Sequence, residues 1–385
     1  MKKIKNILGI IISVLFVLTL IVGIFKVSTQ FVRISSLDTK ETIIYVIGLA
    51  FAGYMAFFLN VLLHEAGHLL FGLICGYSFL LYRIGSLVFV KLKDKIELKR
   101  HSIRGTGGQC IMLPEKYSED DYPYLLYNLG GVIVNYFLAI VFWLIFINRP
   151  SGGNLAQGVF YVFCFSTAFI ALYLGIINTI PLGKYGLQND GQNVWDIMHD
   201  KDSKHAFYHM LMSGRAQLQD KSYESHQEKD FFVDSDLNIN NTLNYGRAVD
   251  YRNYLMQNGR TEDAKIWSEK IDNAQNIPDM YKHAYQNQIL IEEISQGLPK
   301  DELSFNIDKK YLQRLEQDKR NIQANTLLSI YWLLIEDNRK LAKKYSKRVK
   351  KYAKNYLVPC EAKSYLQFLD QSWKTFEYKN IKIGI

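Results

Sequence analysis

Four stretches in the first half of the chain carry no charged side chain over a length that crosses a bilayer, and no ordinary water-soluble core can hide them all. They are Ile7–Phe25, Ile43–Leu63, Tyr124–Ile147 and Gly158–Ile180. A spanning helix needs about 20 predominantly apolar residues, and inside lipid only helices and closed barrels satisfy every backbone group. Apolar character resumes at Leu69–Cys75, just after the second run. The first run follows Lys2, Lys3 and Lys5. A cleaved signal peptide is the competing reading there, but the run is long and no small-x-small site follows it, so an uncleaved span is expected. The turn-rich loop Asn148–Gly153 separates the last two runs. Four membrane helices are therefore expected.

Charge is concentrated in the second half, so the averages of 49% hydrophobic and 22% charged residues describe neither half. The formal charge of +9, from 46 Lys+Arg against 37 Asp+Glu, reads as the basic bias of cytoplasmic loops and not as a nucleic-acid surface. The loop 77–123 carries Arg83, Lys91, Lys93, Lys95, Lys99, Arg100, Arg104 and Lys116 against Asp94, Glu97 and Glu115 within Arg83–Lys116. The opposite side has Lys26, Arg33, Lys40 and Arg149. Positive-inside then puts this loop and both termini in the cytoplasm of a multi-pass cell-membrane protein. Cys75, Cys110, Cys164 and Cys360 are scattered with no CxxC pair, which excludes a disulfide framework and a cysteine zinc site.

The loop alternates apolar and polar residues over Tyr82–Lys93 and Lys95–Arg100 around Lys93-Asp94, a hairpin signal, with a third extended stretch at Thr106–Pro114. From His199 onward the pattern is amphipathic helix: Asn241–Gln257, Thr261–Gln275, Asp279–Gln296, Lys309–Asp318, Asn321–Glu336, Arg339–Asn355 and Glu361–Phe376. Tyr254–Ala264 looks like the join inside a tetratricopeptide unit, and Ile330–Ala342 repeats it loosely, without a clean 34-residue period. The expected fold is an all-α polytopic membrane protein with a small β-hairpin insertion, followed by a soluble helical, tetratricopeptide-like domain. Its parts are residues 1–42 (first span and external loop), 43–198 (a core with three spans) and 199–385 (a cytoplasmic helical domain).

His64-Glu65-Ala66-Gly67-His68 lies in the second hydrophobic segment. Histidines at i and i+4 are about 40° apart around a helix, so both imidazoles face one point and can hold one zinc ion. Glu65 beside them can take a proton from a water at that ion. A charged group near mid-membrane costs about 2.5–3.5 kcal/mol on insertion scales. Helix-gluing hydrogen bonds account for one such polar residue, not for three in this order. A catalytic zinc keeps three protein ligands and an open position. The extended motif with Gly at 71 and His at 74 is absent, since Phe71 and Ile74 stand there. Asp190, in Asn189-Asp190-Gly191 after the fourth run, is the best third ligand, with Asn189 and Asp196 close enough in sequence to compete.

These residues resemble the intramembrane zinc metalloproteases of the site-2 protease class, over roughly residues 43–198. The matching stretches are His64–His68; Gly131-Val-Ile-Val-Asn135, similar to the family's Gly-Pro-x-x-Asn with Val132 in place of Pro; and Asn178-Thr-Ile-Pro181 with Asp190-Gly191, similar to its Asn-x-x-Pro…Asp-Gly with a longer gap. Gly107–Met112 resembles the segment that pairs with an unwound substrate in that family. The resemblance implies that His64, His68 and Asp190 ligate Zn²⁺ and that Glu65 is general base and then acid. It implies that Asn135 and Asn178 contact or orient substrate. It also implies cleavage within or beside transmembrane segments, in signalling or peptide processing. The partners expected are a transmembrane substrate, the bilayer and a protein bound by the helical domain, with no nucleic acid.

Two other classes compete. One is a membrane receptor or scaffold with a vestigial motif. The other is a prenyl-protein-processing type of zinc protease, whose third ligand is a downstream Glu, here Glu224 or Glu228. His205 and His209 are also i,i+4, but with no carboxylate between them they read as a solvated helix face. The basic stretch Lys343–Lys354 reads first as a solvated face, with anionic lipid as the alternative.

Overall fold

Each uncharged run closes its backbone hydrogen bonds as a helix. The chain is described here by a computed structural model covering residues 2–31, 37–92, 95–101, 106–182, 188–218, 228 and 231–383. The runs become α1 (Lys2–Phe31), α2 (Thr39–Ile74), α3 (Tyr124–Ile147) and α4 (Leu155–Thr179). All four are long and apolar enough to cross a membrane. Ile47, Phe51, Ile74, Phe137 and Ile140 are each more than 60% exposed on them. Such outward apolar surface fits a membrane protein.

Two apolar segments of the sequence belong to one continuous helix, α2. Its 36 residues make it about 54 Å long, well beyond the ~30 Å hydrocarbon core. A reciprocal capping box starts it, with Asp38 accepting from the Glu41 amide and Glu41 accepting from the Asp38 amide. Asn154 and Gln157 start α4 in the same way. Helices α2, α3 and α4 pack on one another, and α1 packs on α4. Val27, Phe31, Tyr45, Ala52, Phe146, Val162 and Phe165 form a common buried cluster.

The loop after α2 holds four strands: β1 (Ser78–Ile84), β2 (Leu87–Leu92), β3 (Lys95–Arg100) and β4 (Gly108–Leu113), in an antiparallel sheet ordered β3-β2-β1-β4. The expected single strand over Tyr82–Lys93 is broken at Gly85. That residue has φ +56°, a left-handed turn conformation open to glycine, so the chain reverses there. β2 and β3 pair with Leu92 opposite Lys95. The expected turn at Lys93-Asp94 lies outside the described residues. β1 pairs with β4 from Ser78↔Leu113 to Ile84↔Gly108, with an irregularity between Phe79 and Leu81.

The chain divides into two units, Met1–Ser86 with Ile103–Lys204, and Leu87–Ser102 with His205–Ile385. The first ends in α5 (Asp190–His199) and the start of α6 (Lys201–Leu218). The second holds α7 (Thr242–Gln257), α8 (Thr261–Asp272), α9 (Asp279–Gln296), α10 (Lys309–Gln317), α11 (Ile322–Ile330), α12 (Arg339–Ala353) and α13 (Pro359–Ile383). The expected helix over Asn321–Glu336 is α11 followed by a π-helical turn at Tyr331–Ile335. α7 and α8 form an antiparallel pair joined through Gly259 (φ +75°), with Tyr251 edge-to-face on Trp267 at 5.5 Å. α9 to α13 share a second buried cluster that includes Leu290, Ile294, Leu327, Tyr345 and Leu369.

Candidate metal centre

His64, His68 and Asp190 come together because two helices touch backbone to backbone. A Cβ on Gly67 would lie 2.4 Å from the Gly130 carbonyl oxygen, and one on Gly130 would lie 2.6 Å from that of Gly67. Only glycine at both positions lets α2 and α3 approach this closely. One residue further on, a Cβ on Gly131 would stand 2.5 Å from His64 Cε1, so the imidazole occupies the space a side chain would fill.

Asp190 arrives from the far side as the first residue of α5. Asn189 fixes that start in two ways. Its Oδ1 caps the helix by accepting from the Gln192 amide at 3.0 Å, and its Nδ2 donates to the Ile177 and Ile180 carbonyls at 2.6 and 2.7 Å. Those carbonyls lie at the C-terminal end of α4, so one side chain ties the end of α4 to the beginning of α5. Gly191 completes the contact, since a Cβ there would meet the Thr179 carbonyl oxygen at 2.2 Å.

Asp190 Oδ2 lies 3.3 Å from His64 Nε2 and 3.4 Å from His68 Nε2, and the two Nε2 atoms are 3.3 Å apart. At 3.3–3.4 Å the contacts are too long for good hydrogen bonds, and Oδ2 is buried without a hydrogen-bond partner. Ligand bonds of about 2.0–2.1 Å at tetrahedral angles put neighbouring ligand atoms about 3.3–3.4 Å apart. The triangle therefore has the edge length that a tetrahedral ion requires. Among the described residues this is the group of His, Cys, Asp or Glu with metal-holding geometry. A tetrahedral ion held by these three groups would have one position left open. Burial alone would raise the Asp190 carboxyl, but His68 and His64 beside it outweigh that and hold it well below the usual range.

The ring orientations suit the same purpose. His68 Nδ1 donates to the Tyr127 carbonyl at 2.8 Å. A carbonyl only accepts, so Nδ1 carries a proton, and in the neutral ring Nε2 would present its lone pair to the centre. His64 Nδ1 lies 3.1 Å from the amide of Asn135, which is fully buried. The contact is made by Asn135 Nδ2, which donates to Nδ1, while Asn135 Oδ1 is buried without a partner among the described residues. Exchanging the amide's nitrogen and oxygen would satisfy Oδ1, make Nδ1 the donor and leave Nε2 of the neutral ring bare.

Glu65, about 100° around α2 from His64, is buried in electrostatic reach of His68, His64, Asp190 and Arg83. Its carboxylate packs on β4, where a Cβ on Gly108 would meet Oε1 at 2.6 Å. Arg83 of β1 is 1% exposed and donates to the Gly85 and Gly108 carbonyls at 3.0 and 2.9 Å and to Thr106 Oγ1. Burial draws its pKa down, partly offset by Glu65. Burial also pushes the Cys110 thiol up, with the Glu65 charge adding to it.

Tyr127 ties this strand to the centre. Its carbonyl holds His68, and its hydroxyl donates to the Cys110 carbonyl at 2.9 Å and accepts from the Met112 amide at 3.4 Å. The segment Gly107–Met112, expected from the resemblance to pair with substrate, is thus partly used, because Arg83 takes the Gly108 carbonyl and Tyr127 takes that of Cys110.

The centre gathers His64, His68 and Asp190, with Glu65 and Asn135 against it. Asn178 is half-buried in the last turn of α4, with no side-chain hydrogen bond to the other five among the described residues. Asn189 is occupied as the cap. Asp196 is buried, accepting from Gln192 Nε2 at 2.7 Å and Gln188 Nε2 at 3.2 Å. Neither joins the ligand set. Glu228 accepts from Arg260 Nη1 at 2.5 Å and Tyr251 Oη at 3.2 Å, while Glu224 lies outside the described residues. His205 and His209 sit half-buried on α6 and form no metal-holding group among the described residues. Arg83 and Tyr127 were not singled out from the sequence. An arginine in an otherwise apolar stretch of β1 was the available signal for the first, and there was none for a backbone carbonyl. No family model, curated protein or solved structure matches this chain.

Proposed function

We propose that the chain is an intramembrane zinc metalloendopeptidase of the site-2 protease type, which hydrolyses peptide bonds within or next to transmembrane segments. The reading is carried by the convergence of His64 Nε2, His68 Nε2 and Asp190 Oδ2 at 3.3–3.4 Å from one another. Zinc is the ion favoured by a two-imidazole, one-carboxylate set of tetrahedral edge length with an open position. Bound there, Zn²⁺ supplies Lewis acidity toward a water nucleophile and the scissile carbonyl.

The remaining chemistry belongs to the chain. The Glu65 carboxylate takes one proton from the attacking water and returns it to the departing amine nitrogen, so hydrolysis is complete without a further acid. Asn135 and the Tyr127 carbonyl keep both imidazoles turned with Nε2 toward the reacting centre. Asn178 is assigned to the substrate backbone. A helical substrate hides its amides in i→i−4 bonds and must unwind, and strand addition at β4 offers it new partners beside Glu65. An incoming strand displaces Arg83 from the Gly108 carbonyl or the Tyr127 hydroxyl from that of Cys110.

The charge distribution favours both termini and the 77–123 loop on the cytoplasmic side. The helical unit, read as tetratricopeptide-like, is then a cytoplasmic module for a protein partner. The experiment is to express Glu65→Gln beside wild type and compare membrane-protein fragments by mass spectrometry. An intact membrane substrate accumulating in the mutant supports the reading, and identical fragment sets refute it.

A further inference from the structure

Helix α12 carries an exposed stripe of lysines whose arrangement costs the fold stability. No Asp or Glu occurs from Asn338 to Cys360. At 100° per residue, Lys340, Lys343, Lys347, Lys350, Lys351 and Lys354 fall within an arc of about 120°, running about 21 Å along the axis. All six are exposed. Lys344 lies in the same arc, with its ammonium against the Tyr345 hydroxyl and ring. The opposite face is buried through Ala342, Tyr345, Ser346 and Val349, so α12 is fixed in rotation with its lysines outward.

Within the stripe, neighbours at i+3 and i+4 repel instead of pairing. Among the described residues no carboxylate forms an ion pair with any of the six. The first turn holds Arg339 and Lys340, where the helix dipole disfavours cations. α8 shows the usual alternative, with Lys265 paired to Glu262 at 2.8 Å.

We infer that this stripe is a docking surface for anionic phospholipid headgroups. Charge complementarity demands an anionic partner. The same chain carries four helices long enough to cross a membrane, so an anionic leaflet is its permanent neighbour. A straight row of lysines suits a plane of mobile phosphates. It carries no exposed aromatic ring to stack bases, and the two arginines of α12, Arg339 and Arg348, lie over the Phe376 and Tyr345 rings. The inference rests on the membrane reading of the chain and not on hydrolysis.

The test reconstitutes the full chain in nanodiscs of phosphatidylcholine, alone or with phosphatidylglycerol, and reads lysine acylation by mass spectrometry. In the anionic discs at low salt, labelling of the six lysines falls about fivefold relative to the neutral discs. It recovers in 1 M salt, where the screening length is about 3 Å. In the surface variant Lys343→Gln/Lys347→Gln/Lys350→Gln/Lys351→Gln, the remaining Lys340 and Lys354 lose their protection. Equal labelling in both discs overturns the inference. Protection that appears only on adding polyuridylate also overturns it and assigns the stripe to nucleic acid. The readout involves neither Glu65 nor the metal, so an inactive Glu65→Gln chain gives the same result and failure of the peptidase reading is separately visible.

Discussion

His68 Nδ1 sits 2.8 Å from the backbone carbonyl of Tyr127, and the hydroxyl of that same tyrosine sits 2.9 Å from the Cys110 carbonyl. One residue therefore holds the His68 ring through its main chain and β4 through its side chain, and the two roles separate by mutation. Tyr127→Phe removes only the hydroxyl. It is expected to lower stability by about 1 kcal/mol and to leave bound metal unchanged, measured by denaturation and metal analysis of the same preparation.

Gly131 borders the His64 ring, with 2.5 Å from a built Cβ to Cε1. Gly131→Ala displaces the far end of a side chain and not the backbone, so the helices still pack. Metal affinity is expected to fall about 10- to 100-fold, the usual range when a ligand's support is disturbed. Competition with a chelator checks it.

Asn189 and Asp196 are both near Asp190 in sequence but differ in role. Asn189→Ala removes a helix cap, typically about 1 kcal/mol, together with both bonds to the end of α4. It is expected to weaken metal binding while the fold is retained. Asp196→Asn leaves the ligand set intact and is expected to bind metal as wild type. Titration of both variants with Zn²⁺ or Co²⁺ separates them.

In the helical unit, Arg314 Nη1 donates to His283 Nε2 at 2.7 Å. Burial, then the Arg314 charge, hold the imidazole below its ordinary value of 6.5. The folded chain thus takes up this proton less readily than the unfolded one. Stability is unaffected above the unfolded pKa, falls as pH drops from 6.5 through the folded pKa, and levels off below it. His283→Gln is expected to flatten that portion of the pH dependence, read by urea unfolding followed through tryptophan fluorescence.

The four apolar helices and the helices from Thr242 onward were legible in the sequence because periodicity, uncharged length and caps such as Asn241 and Asn321 are local signals. The His64–His68 pair was legible because i,i+4 geometry is local too. The break at Gly85 was missed because Gly-Ser sits inside an otherwise regular alternation, and only a positive φ shows the turn. The π-helical turn at Tyr331–Ile335 leaves no mark in an apolar periodic run. Arg83 and Tyr127 act through partners far along the chain, Gly108 and His68 respectively, which no local pattern encodes. Asn135 could be placed near His64 only through a family resemblance. Its contact with His64 depends on α2 and α3 meeting at Gly67 and Gly130.

The central claim is that two imidazoles of α2 and the Asp190 carboxylate grip one metal ion. X-ray absorption at the zinc edge, with metal stoichiometry, on the purified full chain tests it most directly. The account predicts one zinc per chain with only nitrogen and oxygen neighbours at about 2.0–2.1 Å, lost in Asp190→Ala. A chain without stoichiometric metal, or a sulfur neighbour at about 2.3 Å, would contradict it.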